Sequence, residues 1–235
     1  MALLTVIDAI WKGFKAADDA GELGNMTISV AGLSAAQSTI EMNIRSYVGN
    51  KSAANTQAVT ANIRHVRTYL KTISVQQPGI KDLVDSSTAT KYQVSIVLAN
   101  YASKLSFDIN MAVASGNLPQ LDETPWSSRR GGFVRQQDNF RSMTMQFEAV
   151  LRRKRKELGA ITAFEARLFG LAFADGLTDA DLRMIQNDMN EQKREEDSTR
   201  RTLGLFTMLV TGSRNNFVRL GEIIQAGDRA NTKKK

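Results

Sequence analysis

The stretch YQVSIVLANYASKLSFDINMAVA, Tyr92 to Ala114, decides the fold class. Its apolar positions Val94, Val97, Leu98, Tyr101, Leu105, Ile109 and Val113 fall mostly three and four residues apart, the spacing of a helix face. A buried strand is also apolar, but strands seldom exceed about ten residues, and the alanines here favour helix. The segment therefore reads as a central buried helix, stopped by Gly116.

On its N-terminal side, Val59, Ile63, Val66, Leu70 and Ile73 predict a helix from about Asn55 to Ser74. Arg64, Arg67 and Lys71 share another face of it and form a basic stripe. Ser34 with Gln37 resembles a capping box opening an earlier helix through Ile40, Ile44 and Val48, which Gly49 and Asn50 close. Pro78-Gly79 marks a turn before a short helix at Ile80 to Val84. At the start of the chain, Leu4, Ile7, Ile10, Trp11 and Phe14 predict an amphipathic helix, broken by Asp18, Asp19, Gly21 and Gly24. Its apolar stripe needs a cover: first the chain's own core, then a neighbouring subunit, and last a membrane surface.

On the C-terminal side, SGNLPQLDETPWSSRRGG, Ser115 to Gly132, holds two of the three prolines and a Gly-Gly pair, and is the expected connector between lobes. Helices are expected from about Arg135 to Leu158 and from Ile161 to Ala174, the second opened by a Thr162/Glu165 capping box and ended by Gly176. Thr178 with Asp181 opens a last helix, either continuous to about Val210 or broken near Asp197. The end of the chain, through AGDRANTKKK, reads as cationic and flexible. These elements add up to an all-α protein with a two-lobed core and extended or flexible terminal arms. The segments are 1–30 (amphipathic helix and arm), 31–125 and 126–225 (helical lobes), and 226–235 (basic tail).

The chain has 235 residues, 42% hydrophobic and 23% charged, enough to bury a sizeable core. With no Cys, disulfides, thiolate metal sites and cysteine nucleophiles are excluded, and a reducing compartment is expected. MALLTVIDAIWKGF lacks the basic start and cleavage signal of a leader peptide, and LGLFTMLV, Leu203 to Val210, is too short to span a bilayer. His65 is the single histidine, and nothing near it nominates a nucleophile. No Walker A loop occurs, since GGFVRQ lacks both its spacing and its Lys-Ser/Thr ending. Asp175, Asp179 and Asp181 sit at a helix start, where the free N–H groups and the dipole explain them without a metal. No enzymatic activity, cofactor, metal or small-molecule substrate is expected.

The formal charge is +7, and it is concentrated. Between Trp126 and Ala160 nine basic residues stand against three acidic ones, a balance of +6: Arg129, Arg130, Arg135, Arg141, Arg152, Arg153, Lys154, Arg155 and Lys156 against Asp138, Glu148 and Glu157. For the run LRRKRKELG, Leu151 to Gly159, two readings stand side by side. It is either a solvated helix face, tempered by Glu148 and Glu157 four residues from Arg152 and Arg153, or a contact for a polyanion. The apolar stripe is interrupted there, because Lys154 and Arg155 occupy the turn where an apolar residue is due. In RRGGFVRQQDNFR, Arg129 to Arg141, Gly-Gly flexibility and interleaved Phe133 and Phe140 suit a single-stranded nucleic acid, with bases stacking on aromatics. Core packing is the competing role, the stronger one for Phe140. No base-reading motif is present, so such binding would be indifferent to sequence.

Two fragments carry a family resemblance. YASKLSFDINMAVASGNLPQLDETPW, Tyr101 to Trp126, resembles the coat-protein segment of flexible filamentous plant RNA viruses in which a Tyr-Ala helix leads to a Pro-containing loop and a Trp. FEARLFGLAFADGL, Phe164 to Leu177, resembles the aromatic-rich helix ending in Asp-Gly-hydrophobic that follows in those proteins. Here 37 residues separate Trp126 from Phe164, more than the family pattern leads one to expect, and Leu168-Phe169-Gly170 replaces its double-aromatic centre. The resemblance implies a helical core, a groove for the genomic strand, and arms reaching neighbouring subunits.

The expected function is a self-assembling viral coat or nucleocapsid protein, found in the virion and the host cytoplasm. It packages single-stranded RNA through the phosphate contacts of Arg129, Arg130, Arg135, Arg141 and Arg152 to Lys156. Arg64, Arg67 and Lys71 form the opposite wall, and Leu4, Ile7, Trp11 and Phe14 are the subunit contacts of a homo-oligomer, a helical filament. A matrix or scaffold protein on a membrane or protein surface, an accessory subunit of a nucleic-acid machine, and a DNA-binding regulator are the alternatives, and membrane contact is the less expected.

Overall fold

The structure is a computed structural model that describes residues 37–75, 89–121 and 124–232. The stripe of Leu4, Ile7, Trp11 and Phe14, the Pro78-Gly79 turn and the last three lysines lie outside the described residues. The described residues form an all-α protein of five helices: α1 (Gln37–Gly49), α2 (Ala53–Val75), α3 (Ala89–Ala114), α4 (Trp126–Leu171) and α5 (Asp179–Thr232). They divide into two compact units. Among the described residues the first comprises 37–75, 93–121, 124–143 and 212–232, and the second 89–92 and 144–211. Helix α4 has 46 residues and α5 has 54, and each contributes to both units.

In the first unit, α1 and α2 form a hairpin. The Asn55 side chain ties its turn by donating to the carbonyls of Ser46 (3.2 Å) and Asn50 (2.8 Å), while the Ser52 hydroxyl accepts the Asn55 N–H. Val59, Ile63, Val66 and Leu70 of α2 are buried, as the periodicity requires. So are Ile96, Ala99, Ala102, Leu105 and Ile109 of α3. The α3 helix ends where the sequence places its stop: Gly116 takes φ +79°, and the N–H groups of Asn117 and Leu118 return to the Ala112 carbonyl. Leu220 and Ile223 of α5 pack with Phe107 and Ala114 of α3. Full burial of Phe107, Leu220 or Ile223 is worth about 1.5–3 kcal/mol. Arg219 pairs with Asp108 at 2.5 Å, fixing α5 to α3 through a largely buried carboxylate.

The first unit also holds two corrections. Helix α4 starts at Trp126 and not near Arg135, so Gly131 and Gly132 are helical and supply no flexible link. The segment read as a flexible tail, 226–235, is helical through Thr232. Both have one cause. The Trp126 indole lies on Gly227, where an added Cβ would come within 2.0 Å of the ring, and Trp126 Nε1–H donates to Asp228 Oδ1 at 2.8 Å. Arg130 Nε donates to the same carboxylate at 3.0 Å. Asp228 is accordingly held below the usual carboxylate range, first by the Trp126 bond and then by Arg130.

In the second unit the two long helices form an antiparallel coiled coil. On α4 the inward positions are Phe147, Leu151, Lys154, Leu158, Ile161, Glu165 and Leu168. On α5 they are Ile185, Met189, Gln192, Glu196, Thr199, Leu203, Phe206 and Val210. Both rows alternate steps of four and three, the heptad signature, and Phe147 meets Phe206 edge to face at 6.0 Å. The expected break at Gly159 is absent: Thr162 bonds back to the Leu158 carbonyl at 2.8 Å inside a continuous helix, so it caps nothing. The Thr178/Asp181 capping box does form, each backbone N–H donating to the other's side chain. Helix α5 does not break near Asp197.

Two predictions follow from these contacts. Gly227→Ala should overpack Trp126 and lower stability by about 1–3 kcal/mol in urea unfolding, an effect relieved when Trp126 is also shortened to Leu. Glu196, only 6% exposed, accepts from Lys193 (2.9 Å) and Arg200 (2.7 Å), bonds that hold its carboxyl below its ordinary value of 4.5. Its stabilising contribution is present above that value and is lost as pH falls through the lower folded one. Wild type should therefore exceed Glu196→Gln in urea midpoint at pH 7, and the gap should close below about pH 4.5.

Candidate functional site

Three helices of the first unit enclose a hollow of about 420 Å³. Helix α2 lines it with Arg67, Leu70 and Lys71, α3 with Ser106, Asn110 and Val113, and α4 with Trp126, Arg129, Gly132, Phe133 and Gln136, while Leu121 of the connector completes the wall. On each helix these residues stand three or four apart, so each element turns one face inward.

The chemistry is cationic and aromatic at once. Asn110 Oδ1 accepts from Arg67 at 2.6 Å and fixes that guanidinium. The Arg129 guanidinium lies over the Trp126 ring, 5.5 Å from its centroid, and its Nε is buried with no hydrogen-bond partner in the protein. A buried donor without a partner costs free energy. Arg129 covers one face of Trp126, so a planar ligand meets the guanidinium plane or Phe133, whose ring lies 6.1 Å from the Trp126 ring. Gly132 leaves open space, with nothing within 4 Å of an added Cβ. A helix-interior Gly costs roughly 1 kcal/mol against Ala, and here its missing side chain leaves the hollow clear.

Of the residues nominated from the sequence, Arg67, Lys71 and Arg129 converge on this hollow. Arg64 does not line it: its guanidinium donates to the Leu121 carbonyl at 3.0 Å and braces the connector. Arg130 is committed to Asp228, at 48% side-chain exposure, and Arg135 and Arg141 are exposed on α4 outside the lining. Phe133 sits half-buried against the Phe107, Leu220 and Ile223 cluster while also walling the hollow, and Phe140 packs edge to face on Phe107 at 6.2 Å.

The basic run belongs to the second unit. Arg152, Arg153, Arg155 and Lys156 are exposed, but Lys154 takes a heptad position, with its side chain 13% exposed and its ammonium on Glu157 Oε1 at 2.6 Å. Thr199 of α5 also donates to that oxygen, at 3.4 Å. The interrupted stripe is thus a polar layer of the coiled coil. Sequence reasoning missed Asn110, Gln136, Gly132 and Asp228; the one available signal was that Asn110 and Gln136 fall on the inward faces of helices already read as packed.

Among the described residues no cluster of His, Cys, Asp or Glu could hold a metal, and no helix is long and apolar enough to cross a membrane. Comparison of the chain with family models, curated proteins and solved structures returns no match.

The hollow's shape can be tested apart from its charge. Gly132→Leu should leave stability unchanged or raise it by up to about 1 kcal/mol in thermal unfolding, through helix propensity, while lowering affinity for single-stranded RNA several-fold in fluorescence anisotropy.

Proposed function

We propose that the chain is a self-assembling coat or nucleocapsid subunit of a virus, packaging single-stranded RNA with its first unit as the seat of the strand. The observation that carries this reading is the convergence of Arg67 and Lys71 with Arg129 around the aromatic wall of Trp126 and Phe133, from segments far apart in the sequence. Arg67, Lys71 and the Arg129 guanidinium neutralise phosphates. A base stacks on Phe133 or on the Arg129 plane, a sequence-tolerant contact because every base has a π face. The fragments around Trp126 and Phe164 that resemble coat-protein segments support the same reading.

Anisotropy titration of fluorescent oligouridine tests the reading. The triple variant Arg67→Ala, Lys71→Ala, Arg129→Ala should bind at least about tenfold more weakly, with the slope of log K against log salt reduced by about 2. Arg67→Lys serves as a control that keeps the charge. Arg152→Ala with Arg153→Ala and Arg155→Ala should change affinity far less. Unchanged binding in the first variant, with helical content intact, removes the hollow from the mechanism. Tighter binding to anionic vesicles than to RNA selects the matrix alternative.

A further inference from the structure

The second unit carries a surface that RNA binding does not use. Phe164, Phe169, Leu171, Phe173, Leu182 and Met184, at the end of the α4–α5 hairpin, are 42–74% exposed. The rings of Phe169 and Phe173 meet edge to face at 5.0 Å, forming an aromatic knob. Apolar side chains concentrated at one end of a hairpin mark a docking site.

Charge identifies the occupant. From Asp175 to Glu191 five exposed carboxylates stand against one arginine, a balance of −4 on a chain of +7. Such a surface repels phosphate, whether of RNA or of an anionic lipid headgroup. Its complement is on the chain itself. Arg152, Arg153, Arg155 and Lys156 are exposed on α4, and guanidinium groups both pair with carboxylates and stack on aromatic faces. At 1.5 Å per residue, Lys154 lies about 27 Å along the helix from Ala172. A hairpin tip therefore cannot reach its own basic turn. Two hairpins laid side by side in opposite directions, overlapping by about that length, bring each tip to the other's basic turn. A contact made twice in this way is isologous and closed.

We propose that a second copy of the chain docks here, the acidic aromatic tip of each hairpin seated on the Arg152 to Lys156 turn of its partner. The contact gives the self-assembly part of the proposed function its interface, rests on that part alone, and requires no RNA.

Sedimentation velocity of the full chain, nuclease-treated and freed of nucleic acid, tests it. Dimers should form at low salt and weaken by at least about tenfold at high salt. Phe169→Ser with Phe173→Ser, and separately Arg152→Glu with Arg153→Glu and Arg155→Glu, should each weaken self-association at least about tenfold with unchanged circular dichroism. Asp175→Arg with Asp188→Arg should fail to self-associate yet pair with the arginine-reversed chain. A chain that stays monomeric, or whose dimers ignore both variants, overturns the proposal. So does association lost only on deleting Leu4 to Phe14, or vesicle binding abolished by the phenylalanine variant. RNA anisotropy on the Phe169→Ser, Phe173→Ser protein keeps the claims separate: its RNA affinity should persist, and failure of RNA binding in wild type strikes the proposed function while leaving this contact standing.

Discussion

The contact of the Trp126 indole with Gly227 and Asp228 is the constraint on which the first unit depends. A tryptophan ring can lie that close to a helix only where a side chain is missing, and Gly227 provides the gap. The hydrogen bond to Asp228 then fixes the ring's orientation, and Arg130 completes the carboxylate's partners. With the first residue of α4 held against the last turns of α5, Gln137 reaches the Phe217 carbonyl at 3.1 Å and Phe140 reaches Phe107. The face of α4 that bears Arg129, Gly132 and Phe133 is thereby turned toward α2 and α3. The hollow is a consequence of that clamp.

The two units use the same pair of helices in different ways. In the first, α4 and α5 serve as walls around α3, whose Ile96, Leu105 and Ile109 are fully buried. In the second, they pack against each other, and the heptad rows admit polar layers: Lys154 and Thr199 on Glu157, and Glu196 between Lys193 and Arg200. The Thr199–Glu157 bond joins the two helices and helps to fix their register, whereas Glu196 takes both of its partners from its own helix. Basic charge is correspondingly divided. Arg67, Lys71 and Arg129 border a concave aromatic site, whereas the four exposed members of the Arg152 to Lys156 run lie on a convex helix surface.

Much of this was legible in the sequence where burial imposes period. The α2 face, Leu105 and Ile109 of α3, the Gly116 stop and the Thr178/Asp181 cap are local signals, whereas the buried Ile96, Ala99 and Ala102 of α3 lie outside the positions the spacing marks. The misreadings share a different origin. Gly131, Gly132 and Gly159 look like breaks because each weakens a helix by roughly 1 kcal/mol, but the packing of Trp126, Phe147 and Ile161 outweighs that. Lys154 breaks the apolar stripe because it pairs with Glu157 one turn on, and the Thr199 hydroxyl that also bonds Glu157 comes from α5, which local spacing does not reveal. The hollow itself joins residues 67 to 136, and no spacing in one sequence reveals that Arg67 and Arg129 meet.

The measurement that bears most directly on the central claim is photocrosslinking of 4-thiouridine oligomers to the full chain, with the attached peptides identified by mass spectrometry. The account predicts crosslinks at Trp126 to Gln136 and at Arg67 to Lys71, lost when Gly132 is replaced by Leu. Crosslinks confined to Arg152 through Lys156, unchanged by that replacement, would contradict it.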